Sequence, residues 1–201
     1  MKRELFKNKY SVIFTVVAII TVVLFISCQA VFTFSPFQFL QRDPSKLPDE
    51  QKEAYARNAL ASGDSEQMAE AYEAINQMLQ DNPNDPDLNL LAADLASGAS
   101  GLNSMISSLD VEGGLDSLNE ALESLNPEML ASIPVHVTVA ENNDGNVSQS
   151  QYINAGVAII ANEAIEAGGF DKVDWESSSE ELEQAKDFAE KGGVDLESYF
   201  G

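Results

Sequence analysis

The chain has 201 residues, with 11 Lys and Arg set against 33 Asp and Glu, a formal charge of −22. That balance excludes duplex nucleic acid as a partner, because such binding rests on Lys and Arg neutralising phosphates and releasing counterions. One Cys and one His exclude an intrachain disulfide, a thiolate zinc cage and a multi-histidine metal site, and no cofactor is expected.

Residues 1–10 carry Lys2, Arg3, Lys7 and Lys9 against Glu4, a net of +3, and an uncharged apolar run over 11–27 then ends at Cys28. A basic stretch, an apolar stretch and a small residue at the cleavage position have the form of an export signal. At 17 residues the run is also at the lower limit for crossing a bilayer, so an uncleaved anchor with its basic end in the cytoplasm is the alternative.

The order Leu24-Phe25-Ile26-Ser27-Cys28 resembles the lipobox of bacterial lipoproteins, with Phe25 at the place of the usual aliphatic residue. The resemblance implies that 1–27 is a signal peptide, that Cys28 is acylated with chains such as palmitate and becomes the new N-terminus, and that the remainder is held at the membrane of a bacterial envelope. The protein would face the periplasm or the cell surface, and Gln29 after the cysteine favours the outer membrane. Each buried methylene of an acyl chain adds about 0.8 kcal/mol of attachment.

Without residues 1–27 the chain has 174 residues, 7 basic and 32 acidic, a charge of −25. One domain is expected at this length. No Lys or Arg occurs between Arg57 and Lys172, so that stretch supplies no phosphate cradle, guanidinium clamp or Ser-Lys dyad.

Residues 28–47 read as a lipid-anchored, aromatic-rich linker. Phe32, Phe34, Phe37 and Phe39 alternate among small and polar residues around Pro36, which suits an extended ribbon packed on the body of the domain, with the membrane interface as the other resting place.

The helical domain spans 48–201. A first helix is expected over 49–61, closed by Gly63. Asp64-Ser65-Glu66-Gln67 has the form of a capping box for a second helix, whose Met68, Ala71, Tyr72, Ile75, Met78 and Leu79 make one apolar stripe before Asn82-Pro83 ends it. Asp85-Pro86 opens a third helix through Leu88, Leu91, Ala92 and Leu95 to Gly98. Helical spacing continues over 101–109 and 114–125, with Leu122 and Leu125 ending a helix before Asn126-Pro127. Over 133–140, Val135, Val137 and Val139 alternate with His136, Thr138 and Ala140, the period of a strand, so a short β-element is expected near 134–140. Helices return over 151–167 and 178–191, the latter with apolar positions Leu182, Ala185 and Ala189.

Two helices joined by a tight turn, with a Pro ending the second and a new helix beginning at once, make a unit of 34 residues over 52–85. This unit resembles a tetratricopeptide repeat, with Ala59, Ala71 and Pro83 at matching places and Ala92, Ala93 and Ala96 serving the next unit. Tyr55 stands where Trp is usual, Asn58 where Leu is common and Ile75 where an aromatic is common. Tyr152, Ala155, Gly156 and Ile159 reproduce the first-helix spacing of a third unit. An ordinary antiparallel helical hairpin is the competing description. The resemblance implies an all-α fold of antiparallel helix pairs forming a short α-solenoid, and a partner groove that would include Tyr55, Asn58 and Asn89.

Little in the chain points to catalysis. The loop 140–151 partly matches a calcium-binding EF-hand loop, but Ala140 and Gln151 stand where the first ligand and the bidentate carboxylate belong, and Asn-Asp-Gly followed by Ser148 reads as a turn and a helix cap. His136 has no second His or Cys to join it, and no GxSxG elbow supplies a serine nucleophile. Pairs such as Glu180-Glu181 and Asp174 with Glu176 would need opposed environments to act as acid and base. Trp175 and Tyr199-Phe200 read as anchors of the last helix or as partner contacts. The expected function is therefore a non-enzymatic protein-binding adaptor or scaffold at the membrane, whose acidic groove favours a basic partner. The alternative is a periplasmic carrier of a small apolar ligand attached to a transport system. The sequence leaves the oligomeric state open.

Overall fold

The computed structural model describes residues 43–108, 114–175, 177 and 179–194. The expected export signal, Cys28 and the expected aromatic ribbon lie outside them, as do Glu176, Tyr199 and Phe200. Among the described residues the protein is all-helical, with no strand: α1 (Asp49–Ser62), α2 (Ser65–Asp81), α3 (Pro86–Ala99), α4 (Leu102–Ser108), α5 (Gly114–Leu122), α6 (Pro127–Asn142), α7 (Gln149–Ala167) and α8 (Glu180–Lys191). Two 3-10 turns, Pro44–Lys46 and Phe170–Lys172, complete it. The first of these packs on α2, so the end of the anticipated 28–47 linker already belongs to the helical body.

Local chemistry sets the helix ends. Gly63 closes α1 with φ at 71°, a left-handed position that a side chain would strain. The Asp64 carboxylate accepts from the N–H groups of Glu66 and Gln67 and from the Gln67 side-chain amide, while the Asp64 N–H donates to Ser62 Oγ instead of to the Gln67 oxygen that a full capping box would use. Asp85 accepts from Leu88 N–H beneath Pro86, whose missing N–H costs nothing in the first turn. At α7, Ser148 and Gln151 form a full capping box.

Residues 133–140 are helix, not strand. Asn126-Pro127 marks the start of α6, with the Asn126 side chain accepting from Glu128 and Met129 N–H. The valines do alternate, but Leu130, Ile133, Pro134, Val137 and Ala140 are the buried positions, and their spacing is that of one helical face. Val135, on the opposite side, is 58% exposed. Pro134 inside the helix removes one backbone donor, a cost that the burial of this face outweighs.

The core is organised around α3. Its faces carry Leu88, Leu91, Ala92, Ala93, Leu95, Ala96 and Gly98, all buried, as expected of a helix surrounded by others. It packs chiefly against α6 and α2, and more lightly against α1, α4 and α7. Small residues let the neighbours come close: a Cβ added at Gly98 would overlap the Met68 sulfur of α2. Beyond α6, α7 packs on α6 and α8 on α7. Phe188 of α8, absent from the expected apolar set, is 2% exposed and is the largest fully buried side chain among the described residues. Between α3 and α6 the chain makes an excursion through α4 and α5, and where it returns Asn126 N–H donates to Ser100 O at 3.0 Å. Leu102, Met105, Leu122 and Leu125 join the excursion to the core.

Candidate interaction surface

On α3 one stripe reaches the surface: Asp87 is exposed, and Leu90 and Asp94 are half-buried, at i, i+3 and i+7. The stripe ends at α7, where Gln151 Nε2 donates to both Asp94 carboxylate oxygens at 3.2 and 3.1 Å. Burial raises the Asp94 pKa, and the Gln151 hydrogen bond offsets part of that rise. On α1, Tyr55 is half-buried with its hydroxyl donating to Glu70 at 2.8 Å, while Asn58 is exposed. Burial and the Glu70 carboxylate push the Tyr55 phenol up to about 12, so it stays a neutral donor.

Asn89 does not belong to this surface. It is 2% exposed, and its Nδ2 donates to Pro83 O at 3.0 Å and Asp85 O at 2.8 Å, holding the turn that precedes α3. With the amide nitrogen committed, Asn89 Oδ1 accepts from His136 Nδ1–H at 2.9 Å, and His136 Nε2 accepts from the Tyr72 hydroxyl at 3.2 Å. The Tyr72 and His136 rings meet edge to face, with centroids 5.8 Å apart. Tyr72, Asn89 and His136 come from α2, α3 and α6, so one hydrogen-bonded chain joins the three helices that meet in the core. Burial pushes the His136 pKa from 6.5 down to about 4, keeping the imidazole neutral. Both ring nitrogens are committed, which leaves no free base for a nucleophile. The sequence singles out His136, but its partners lie 47 and 64 residues away and no local pattern announces them.

The remaining candidates take structural roles. In the 140–151 loop, Asp144 adopts φ of 61° and Gly145 N–H donates to Ala140 O at 2.8 Å, a reversal that leads straight into the Ser148 cap. Gln151 is spent on that cap and on Asp94. Among the described residues no group of three His, Cys, Asp or Glu side chains is placed to hold a metal ion. Glu180 and Glu181 sit in the first turn of α8, where negative charge is favoured by the helix dipole. Trp175 is half-buried and donates from Nε1 to Phe170 O at 3.3 Å.

A cationic anchor secures α8. Lys191 Nζ lies 2.7 Å from Glu141 Oε1 of α6 and 2.9 Å from Asp187 Oδ2, above the rings of Tyr152 and Phe188. Its hydrogen bonds to Asp187 and Glu141 raise its pKa further above the ordinary lysine range. A cleft of about 570 Å³ opens between α5 and the end of α7, with Leu122, Ala164 and Ile165 in its walls and Asn119, Glu120 and Glu123 beside them. Among the described residues no helix is long and apolar enough to cross a membrane.

No protein-family model matches the chain, and neither a curated protein nor a solved structure matches it.

Proposed function

We propose that the protein is an exported lipoprotein, tethered through Cys28, that acts as a non-enzymatic adaptor binding a basic protein segment on a tetratricopeptide-like stack. The observation that carries this reading is the order in which the helices touch. Pairing α1 with α2, α3 with α6 and α7 with α8 makes three units in which each second helix packs on the first helix of the next unit. The first helices also touch in series, α1 to α3 and α3 to α7. A helical-pair stack would give this order of contacts, which supports the reading, and three units would suffice to bury a continuous core. The excursion through α4 and α5, inserted within the middle pair, accounts for the loss of repeat register after Gly98.

The surface stripe of α3 is acidic at both ends, through Asp87 and Asp94, and the whole chain is strongly acidic, which favours a cationic partner and salt-sensitive association. A carrier of apolar molecules is the weaker reading. The large cleft is open and rimmed by carboxylates, and the nearly all-carbon cavity between α7 and α8 is only about 50 Å³, far below the few hundred Å³ such ligands fill.

Two measurements test the proposal. Labelled palmitate should enter the wild-type chain and not Cys28→Ser, which should also leave the membrane fraction. Cross-linking in the native cell should capture a basic protein, and Asp87→Asn with Asp94→Asn should weaken that capture, as should added salt. Capture indifferent to both the charge changes and salt would remove the adaptor reading, whatever the fate of the lipid.

A further inference from the structure

Asn119 fixes the gap between α5 and the end of α7. Its Oδ1 accepts from Phe170 N–H at 2.8 Å and its Nδ2 donates to Asp171 Oδ1 at 3.1 Å, while Leu122, three residues on, is buried in the core. The first residue sets the separation at the turn after α7 and the second sets it at the base. The cleft of about 570 Å³ is therefore held open by bonds and packing. Gly169 leaves no slack at that turn: its φ is 145°, and a Cβ there would lie 2.6 Å from Asp171 Oδ1.

The walls of the cleft differ in kind. Leu122, Ala164 and Ile165 make an apolar side, and Ile165 is only half-buried. Glu120 and Glu123 line the same space, both are exposed, and among the described residues neither has an ion-pair partner. The carbonyl end of α7 also faces this region, the negative pole of a helix, and Lys172 is drawn to it, donating from Nζ to Gly168 O at 2.9 Å. Against Lys172 stand Glu120, Glu123 and Asp171, so the surroundings stay acidic.

An apolar wall beneath an acidic rim matches a side chain with a hydrocarbon stem and a cationic head, which covers apolar surface while the head stays in water. Size decides how much enters. About 150 Å³ is enough for one benzene-sized group, so about 570 Å³ admits several side chains. An open cleft suits a polypeptide passing across it better than a small molecule, which needs enclosure over most of its surface. We propose that this cleft anchors the basic segment of the partner, with an Arg or Lys head against Glu120 and Glu123 and a neighbouring apolar side chain on Leu122, Ala164 and Ile165. The inference rests on the adaptor reading and adds to it a place and a pattern: the partner presents a cation beside an apolar residue.

The probe is an acetylated, amidated tetrapeptide of alternating photo-leucine and arginine, offered to the full chain. Its cross-links are mapped by mass spectrometry and its Kd is read by calorimetry. Labelling should be confined to the peptides containing residues 119–123 and 164–169. The Kd should rise several-fold in Glu120→Gln with Glu123→Gln and again in Ile165→Ser, each checked for native helix content. Glu66→Gln with Glu73→Gln removes the same charge from exposed positions of α2 and should leave the Kd nearly unchanged. A matching peptide with citrulline for arginine keeps the shape without the charge and should bind far more weakly. Equal binding of that peptide would make the cleft a site for neutral apolar groups, and equal losses in the α2 control would reduce the effect to overall charge. Either result overturns the proposal, as does labelling elsewhere or none. Capture in the cell that responds to salt and to Asp87→Asn with Asp94→Asn, but not to the Glu120 and Glu123 changes, would leave the adaptor reading standing and remove the cleft as its anchor. Capture indifferent to salt and to all four carboxylates would remove the adaptor reading and, with it, the partner assigned to the cleft.

Discussion

His136 offers the sharpest test of how the core is held. Its imidazole titrates near 4 in the folded protein against 6.5 when free, because burial disfavours the charged form. Above about pH 6.5 both folded and unfolded chains hold the ring neutral, and the network contributes in full. As pH falls from 6.5 toward 4 only the unfolded chain takes up the proton, so stability drains away; below 4 both states are charged and the loss is complete. The gap of about 2.5 pKa units corresponds to about 3 kcal/mol. Carboxylates titrate over the lower part of the same range, so the assay compares two proteins. Urea unfolding of wild type and His136→Gln, followed by circular dichroism from about pH 7.5 to about pH 4, cancels the shared acid titration. The variant should be the less stable at neutral pH, and its deficit should shrink by about 3 kcal/mol at the acid end. Two stability curves that run parallel over the whole range would refute the assignment of a neutral, buried imidazole at this junction.

Further outcomes follow from the same geometry. Asn89→Ala strips donors from Pro83 O and Asp85 O and leaves His136 Nδ1–H unpaired, and should cost about 2–4 kcal/mol in urea unfolding. Asp94→Asn keeps an acceptor for Gln151 and removes a buried charge, so it should match or exceed wild-type stability at pH 7 by up to about 1 kcal/mol. Because burial raises the Asp94 pKa, that advantage should fade as acidification protonates the wild-type carboxyl. Phe188→Ala should cost about 3–5 kcal/mol, with loss of amide protection concentrated in α8.

The helix ends were the legible part of this fold. Gly63, Asp64, Asp85-Pro86 and Ser148 act within a few residues of themselves, so their chemistry reads directly along the chain. Residues 133–140 carry strand periodicity because valine stands at every second position, whereas the buried helical face runs through Leu130, Ile133, Pro134, Val137 and Ala140 and takes only Val137 from that alternating set; an X-Pro pair, moreover, both ends one helix and starts another. Asn126 resolves the ambiguity only through its accepted N–H bonds. Phe188 stands among charged residues in a helix that is mostly polar, so its burial depends on α7, which lies outside any local window of sequence. Asn89, expected at a groove, is drawn inward by two backbone carbonyls and a histidine contributed by another helix, a long-range satisfaction that no window of sequence contains.

Asn126 and Ser100 clasp the two ends of the excursion through α4 and α5, and farther out Asn119 of α5 fastens it a second time, accepting from Phe170 N–H and donating to Asp171. The loop so closed is topologically a side branch that departs from and rejoins the trunk beside the first clasp, so the link between α4 and α5 can lengthen, shorten or be exchanged without altering the path of the trunk. Provided Leu102, Met105, Leu122 and Leu125 stay to plug the base and Asn119 keeps its bonds, this is the natural graft point for foreign sequence, and the place where related chains would be expected to diverge most in length.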